Sequence, residues 1–366
     1  MYRNIYSFEQ SREFLLGTFQ KRIPELYDPE KYDEVEERLK YEYVALSNIS
    51  GGEQAFKETS EFVRKLQNLC SAAGHGYKPY ITFRGPVLAS LIAYLTGISG
   101  YDPIAMGFEP WVFYEKPSVI EFNFNLPMRA VQICSDYDLK APKSSVIYFG
   151  RDASVIEEVE ECLSHGSVTN GLPGYCIPDS GIVRFFRKAI TNKPEWLDIL
   201  IGFDKEFVPY AAEVLEYLEK INELPSDIRQ IAKLDGFLHS SLYDEDHIGM
   251  MESVRACSEG KGIYETLISY TEDIYDILTH RGCNAETAKR IARKVKSADR
   301  TLGDDDKNII EWYCGKAYVK LFSDIKHLYC KNQCFQVGLL ESKLICLILH
   351  HTKLTLEAYD RVRMWQ

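Results

Sequence analysis

Two groups of residues in this 366-residue chain have types and spacings suited to chemistry. Cys330 and Cys334 lie four residues apart with His327, His350 and His351 nearby, offering thiolate and imidazole donors. Zinc needs four such ligands at about 2.0–2.3 Å, and a Cys-x3-Cys with no second cysteine pair reads instead as core thiols on a helix. Lys289, Arg293, Lys296 and Arg300 fall at i, i+4, i+7 and i+11, one face of a helix. Such a face can meet phosphates, and in most proteins it is simply solvated.

The elements that must position these groups follow from periodicity. Residues 7–46 are helical in character, with Val35, Leu39 and Tyr43 at i, i+4 and i+8, and a second helix covers about 53–72. A short strand from Lys78 breaks at Arg84-Gly85-Pro86 into a helix through Leu88–Leu95 that Gly97 stops. Ser118–Asn125 alternates Val119, Glu121, Asn123 and Asn125 against Ile120, Phe122 and Phe124, the pattern of a half-buried strand with one polar face. Ser145–Phe149 is a further short strand, and Trp196–Ile201 reads as another, carrying the single carboxylate Asp198. Beyond residue 206 nearly everything reads as helix, which makes a mixed lobe followed by a helical one.

Composition narrows the class. Hydrophobic residues are 45% and charged residues 27%, no apolar run is long enough to span a bilayer, and the first residues lack the apolar core of a secretory signal. The expectation is a cytoplasmic globular protein with no membrane association. Ten cysteines without a compact framework are read as free thiols. The net charge of −11 is uneven: residues 281–366 hold 16 Lys/Arg against 10 Asp/Glu, and residues 1–280 hold 27 against 44. A nucleic-acid contact is therefore sought in the C-terminal part, since phosphate affinity comes chiefly from Lys and Arg.

Taken in order, the segments resemble one family, the catalytic (alpha) subunit of the C-family bacterial DNA polymerase III, especially its Gram-positive-type form. Tyr32-Asp-Glu-Val-Glu-Glu-Arg-Leu-Lys-Tyr-Glu is similar to the helix opening that family's palm. Phe83-Arg-Gly-Pro-Val-Leu-Ala-Ser-Leu-Ile-Ala-Tyr-Leu-Thr-Gly-Ile, continuing to Asp102-Pro-Ile, resembles its Arg-Gly-Ser-x-Gly-Ser turn and following helix. Leu197-Asp-Ile-Leu-Ile-Gly looks like its Leu-Asp-Ile-Leu-Gly strand, and residues 263–295 and 325–359 follow its fingers. The resemblance covers palm, thumb and fingers, with gaps over residues 30–360, and none of the family's flanking modules.

What the resemblance implies is an α+β fold, a nucleotidyltransferase-like (polymerase beta-like) palm with a mostly helical fingers-like lobe. Its divisions are N-terminal helices and a first palm half over 1–128, a shortened thumb-like insertion over 129–185, a palm-like return strand over 186–206, and a fingers-like lobe over 207–366. Nucleotidyl transfer uses two Mg²⁺ ions bridged by palm carboxylates. The family's ligand positions fall at Val119, Glu121 and Asp198, so one ligand is an isopropyl group, which has no lone pair for a metal. Arg84, Gly85 and Ser90 survive from the phosphate-cradling turn, but Pro86 lacks both amide hydrogen and hydroxyl, and Leu88 and Ala89 replace Gly and Ser. In the fingers Lys331 remains as a phosphate contact while Gln333 stands where a second cation would. The resulting expectation is a pseudo-enzyme without polymerase activity and without a cofactor, Mg²⁺ being implied by the family alone. It would serve binding or assembly in DNA replication or a mobile element, with weak DNA contact through Lys289, Arg293, Lys296 and Arg300, or with a replication or mobile-element protein as partner. The alternative is a divergent metal-dependent nucleotidyltransferase, or DNA polymerase, using Glu121 and Asp198.

Overall fold

The computed structural model describes residues 2–73, 78–114, 120–165, 179–200, 208–239, 247–256, 261–296, 301–325 and 327–364. It is mostly helical with one small mixed sheet, and it divides into two compact units, 1–157 and 158–366.

The first unit holds α1 (Tyr2–Leu26), α2 (Tyr32–Ser47), α3 (Gly52–Ala73), β1 (Thr82–Arg84), α4 (Leu91–Leu95), β2 (Phe122–Leu126), α5 (Met128–Asp136) and β3 (Ser145–Phe149), and the division falls within α6 (Arg151–His165). The sheet order is β1-β2-β3, antiparallel at the first pairing and parallel at the second. The parallel pairing requires a crossover, which α5 supplies. Alternation along β2 sends Phe122, Phe124 and Leu126 into the core and leaves Asn123 and Asn125 on the opposite face. The core face packs on α3, whose Phe56, Phe62, Val63 and Leu66 are buried at helical spacing. Edge-to-face pairing of Phe56 with Phe122 at 5.1 Å and the tilted contact of Phe62 with Phe124 at 5.6 Å form its centre.

The second unit contains α7 (Asp179–Asn192), α8 (Val208–Lys220), α9 (Ile228–His239), α10 (His247–Ala256), α11 (Ile263–Thr266), α12 (Thr271–His280), α13 (Ala285–Val295), α14 (Asp304–Cys314), α15 (Lys316–Asp324) and the long α16 (Lys331–Arg363), which kinks at His351. Helices α9 and α16 pack extensively against each other. A Cβ on Gly338 would lie 3.0 Å from the Ala232 Cβ, and one on Gly236 would lie 2.8 Å from the Ser269 carbonyl oxygen. Both glycines are there because the backbones touch.

Several expectations change. The segment read as a return strand at 186–206 is the end of α7 followed by a short 3-10 helix, Pro194–Ile199, opened by Pro194; residues 201–206 lie outside the described residues. Proline at the first position favours that turn over a ladder strand. The third strand of the sheet comes instead from Ser145–Phe149, inside the segment read as a thumb-like insertion. Helix α7 was not read from the sequence, although Ile182, Phe185, Phe186 and Ala189 keep helical spacing and are buried. On α2 the buried stripe is Val35, Glu42 and Leu46, with Tyr43 only half-buried. Among the described residues no helix is long and apolar enough to cross a membrane.

Candidate functional site

The turn that follows β1 is built as its residues dictate. Gly85 sits at φ +82°, a conformation closed to most side chains, and Pro86 opens a 3-10 turn over Pro86–Ala89 whose Leu88 and Ala89 are fully buried. Ser90 then caps α4, its hydroxyl accepting from the Ala93 amide at 3.2 Å. The exposed Arg84 donates from Nε to Asn125 Oδ1 at 2.9 Å, and its guanidinium lies 4.2 Å from the centre of the Tyr148 ring.

At the N-terminus of α4, where such a turn would present amides to an anion, the protein places its own carboxylate. Glu42, fully buried, accepts from the Leu91 amide at 2.9 Å and the Ile92 amide at 3.2 Å. It also accepts from Ser90 Oγ at 3.0 Å and Tyr114 Oη at 3.1 Å. Arg38 Nε neutralises it at 2.6 Å, while the same guanidinium reaches the Ala89 and Phe108 carbonyl oxygens at 2.5 and 2.9 Å. Burial first, and then the Glu42 charge, hold the Tyr114 hydroxyl well above its ordinary pKa, so it stays a donor. Both Glu42 oxygens are thereby engaged within the chain, as are all three Arg38 nitrogens. The sequence carried a signal for it, a carboxylate seven residues after Val35 and four before Leu46, in the apolar stripe of α2.

The expected metal ligands are not brought onto one sheet. Glu121 immediately precedes β2 and is exposed; Val119 lies outside the described residues. Asp198 is half-buried in the 3-10 helix of the second unit, where its carbonyl oxygen accepts from Tyr359 Oη at 2.8 Å. The geometry in which neighbouring strands point carboxylates at a shared pair of ions is therefore not the one the sheet builds, since its strands all lie between 82 and 149. Among the described residues no group of three or more His, Cys, Asp or Glu side chains could hold a metal ion. Cys330 and Cys334 are buried thiols; burial, reinforced by Asp235, raises that of Cys334 well above its ordinary pKa.

The residues expected to meet phosphate or DNA in the helical unit are largely turned inward. Lys331 opens α16, and its amide donates to both carboxylate oxygens of Glu272 at 3.1 and 3.0 Å. Glu272 is itself buried; desolvation raises its pKa to about 7, against the pull of the Lys331 amide and of Lys296. Lys289 is only 16% exposed in its side chain and pairs with Glu286 at 3.0 Å. Arg293 and Lys296 are half-buried, with Lys296 Nζ 3.6 Å from Cys330 Sγ, and Arg300 lies outside the described residues. The more exposed cations on α13 are Arg290 and Lys294, and both are held by the buried Asp306. Of this face, Lys289, Arg293 and Lys296 are thus half-buried rather than fully exposed to solvent. A 3.6-residue period relates side chains along one helix but does not contain the packing of α12 and of Cys330, before α16, beside this one.

Neither a protein-family model nor a curated protein matches the chain.

Proposed function

We propose that this protein is a degenerate relative of the C-family polymerase catalytic subunit that does not polymerise nucleotides and acts in the cytoplasm as a binding or assembly component of DNA replication or of a mobile element. The observation that carries the reading is Glu42. A helix N-terminus binds a phosphate through free amide hydrogens and the positive end of its dipole. Here those amides, the Ser90 hydroxyl and Arg38 are all committed to a buried carboxylate, which would also repel a triphosphate. Pro86, and the place of Asp198 in a 3-10 helix rather than in a strand, point the same way.

Primer extension tests it. The purified protein, given a primed template, deoxynucleoside triphosphates and Mg²⁺, then Mn²⁺, is expected to leave the primer unextended. Template-dependent extension that disappears in Asp198→Ala would replace this reading with the divergent nucleotidyltransferase working through Glu121 and Asp198.

A further inference from the structure

The chain carries a net charge of −11, yet one exposed helix face is cationic. On α7 the residues Ile182, Phe185, Phe186 and Ala189 are buried, and Arg184, Arg187, Lys188 and Thr191 occupy the opposite face at i, i+3, i+4 and i+7. Together with Val183 they line an open groove of about 570 Å³. This volume is within the range of about 300–1,000 Å³ typical of ligand-binding clefts. The aliphatic stems of the Arg and Lys side chains and Val183 make its floor, and the charged heads make its rim. Lys188 extends its ammonium to 5.9 Å from the centre of the Trp196 ring.

We infer that this groove is a docking site for a short acidic and apolar segment of a protein partner, its apolar side chains on the floor and its carboxylates on the rim. Arg187 already binds a carboxylate: Glu219 of α8 accepts from its Nε at 2.7 Å, with both side chains partly exposed. Arg184 and Lys188 offer two further cations one turn apart along the same face, and neither makes an ion pair among the described residues. A peptide fits these features better than nucleic acid does. Three cations, one of them shared with Glu219, leave two or three phosphate contacts, and the log–log salt slope of about −0.7 to −0.9 per contact makes so small a footprint weak at physiological salt. An apolar floor adds affinity for side chains but none for a phosphodiester. The site deepens the binding role proposed above by naming a partner class, yet stands on different residues: primer extension would overturn that role and leave the groove's chemistry as it is.

The test is fluorescence anisotropy of a short labelled peptide of interspersed Glu and Leu, with a labelled oligothymidylate of equal charge as the second probe. The probes are titrated with the full chain and with two double variants. Arg184→Glu/Lys188→Glu removes the rim. Lys316→Glu/Lys353→Glu makes the same change in net charge at side chains that are 87% and 91% exposed elsewhere. Because the whole chain repels anions, peptide binding that weakens at least tenfold in the first variant and less than twofold in the second supports the site. No peptide binding by the full chain, or equal loss in both variants, overturns it. An oligothymidylate that binds more tightly than the peptide and is lost only in the first variant overturns the peptide assignment in favour of nucleic acid. Circular dichroism of both variants is expected to match the parent, since the altered residues are exposed; if the first variant is unfolded, Arg184→Gln/Lys188→Gln replaces it under the same criteria.

Discussion

Replacing Glu42 by Ala removes the acceptor of five hydrogen bonds at once: those from Arg38 Nε, Ser90 Oγ, Tyr114 Oη and the Leu91 and Ile92 amides. Arg38 keeps its bonds to the Ala89 and Phe108 carbonyl oxygens but loses its counter-charge in a site where the carboxylate side chain was 0% exposed. Breaking one side of a buried ion pair costs about 3–5 kcal/mol, because the remaining charge stays buried and unpaired. For a unit of 157 residues each kcal/mol moves the midpoint by roughly 2–4 °C, so the transition of the N-terminal unit should fall by about 10 °C. Glu42→Gln keeps one acceptor oxygen and turns an amide toward the remaining donors, so its cost should be intermediate, about 2–3 kcal/mol. Scanning calorimetry of the parent and both variants reads this directly. A loss below about 1 kcal/mol for Glu42→Ala would refute the claim that the carboxylate is the hub of the turn, and with it the argument that the helix N-terminus is already filled.

Three further outcomes are expected. The buried Glu272 has its pKa raised to about 7, so the folded state binds a proton that the unfolded chain has released above its ordinary value; stability should fall as pH rises from about 5 to 7, by at most about 1.4 kcal/mol per pH unit, and level off above. Melting temperatures of the parent relative to Glu272→Gln, followed over that window, check the sign. Asp306 behaves oppositely: burial raises its pKa, but the hydrogen bonds of Lys294 and Arg290 outweigh this and hold it below the ordinary value. Asp306→Asn should therefore cost about 1–3 kcal/mol at pH 7, discounted for the 44% exposure of Arg290, with the difference shrinking as pH falls through the acid range, as denaturant titrations would measure. Gly236→Ala, which sets a Cβ 2.8 Å from a backbone oxygen, should cost about 1–3 kcal/mol by the same assay, whereas a Cβ at Gly17 meets nothing within 4 Å and Gly17→Ala should be neutral or stabilising.

What was legible in the sequence was what local periodicity encodes. The alternation of Phe122 and Phe124 with Asn123 and Asn125 placed β2 and its polar face, and Val146, Ile147 and Tyr148 marked β3. The helices at 208–220, 228–239, 247–256 and 285–295 fall in the part beyond residue 206 that reads as almost all helix. The segment around Asp198 misled because a run of large apolar residues suits a buried 3-10 turn as well as a strand, and only Pro194 argued for the former. The basic face of α13 misled for another reason: Lys289 and Lys296 are half-buried by long-range packing, which one helix's spacing does not contain. Glu42 was not singled out because the apolar spacing was followed through Val35, Leu39 and Tyr43, although its own spacing from Val35 and Leu46 puts it on the buried stripe.

The most direct measurement of the central claim is a crystal structure determined with Mn²⁺ and a deoxynucleoside triphosphate. The account predicts Glu42 still bonded to the Leu91 and Ile92 amides, with no triphosphate against residues 84–90 and no ion between Glu121 and Asp198. A triphosphate held by those amides, or a manganese ion bridging the two carboxylates, would contradict it and make the protein a nucleotidyltransferase.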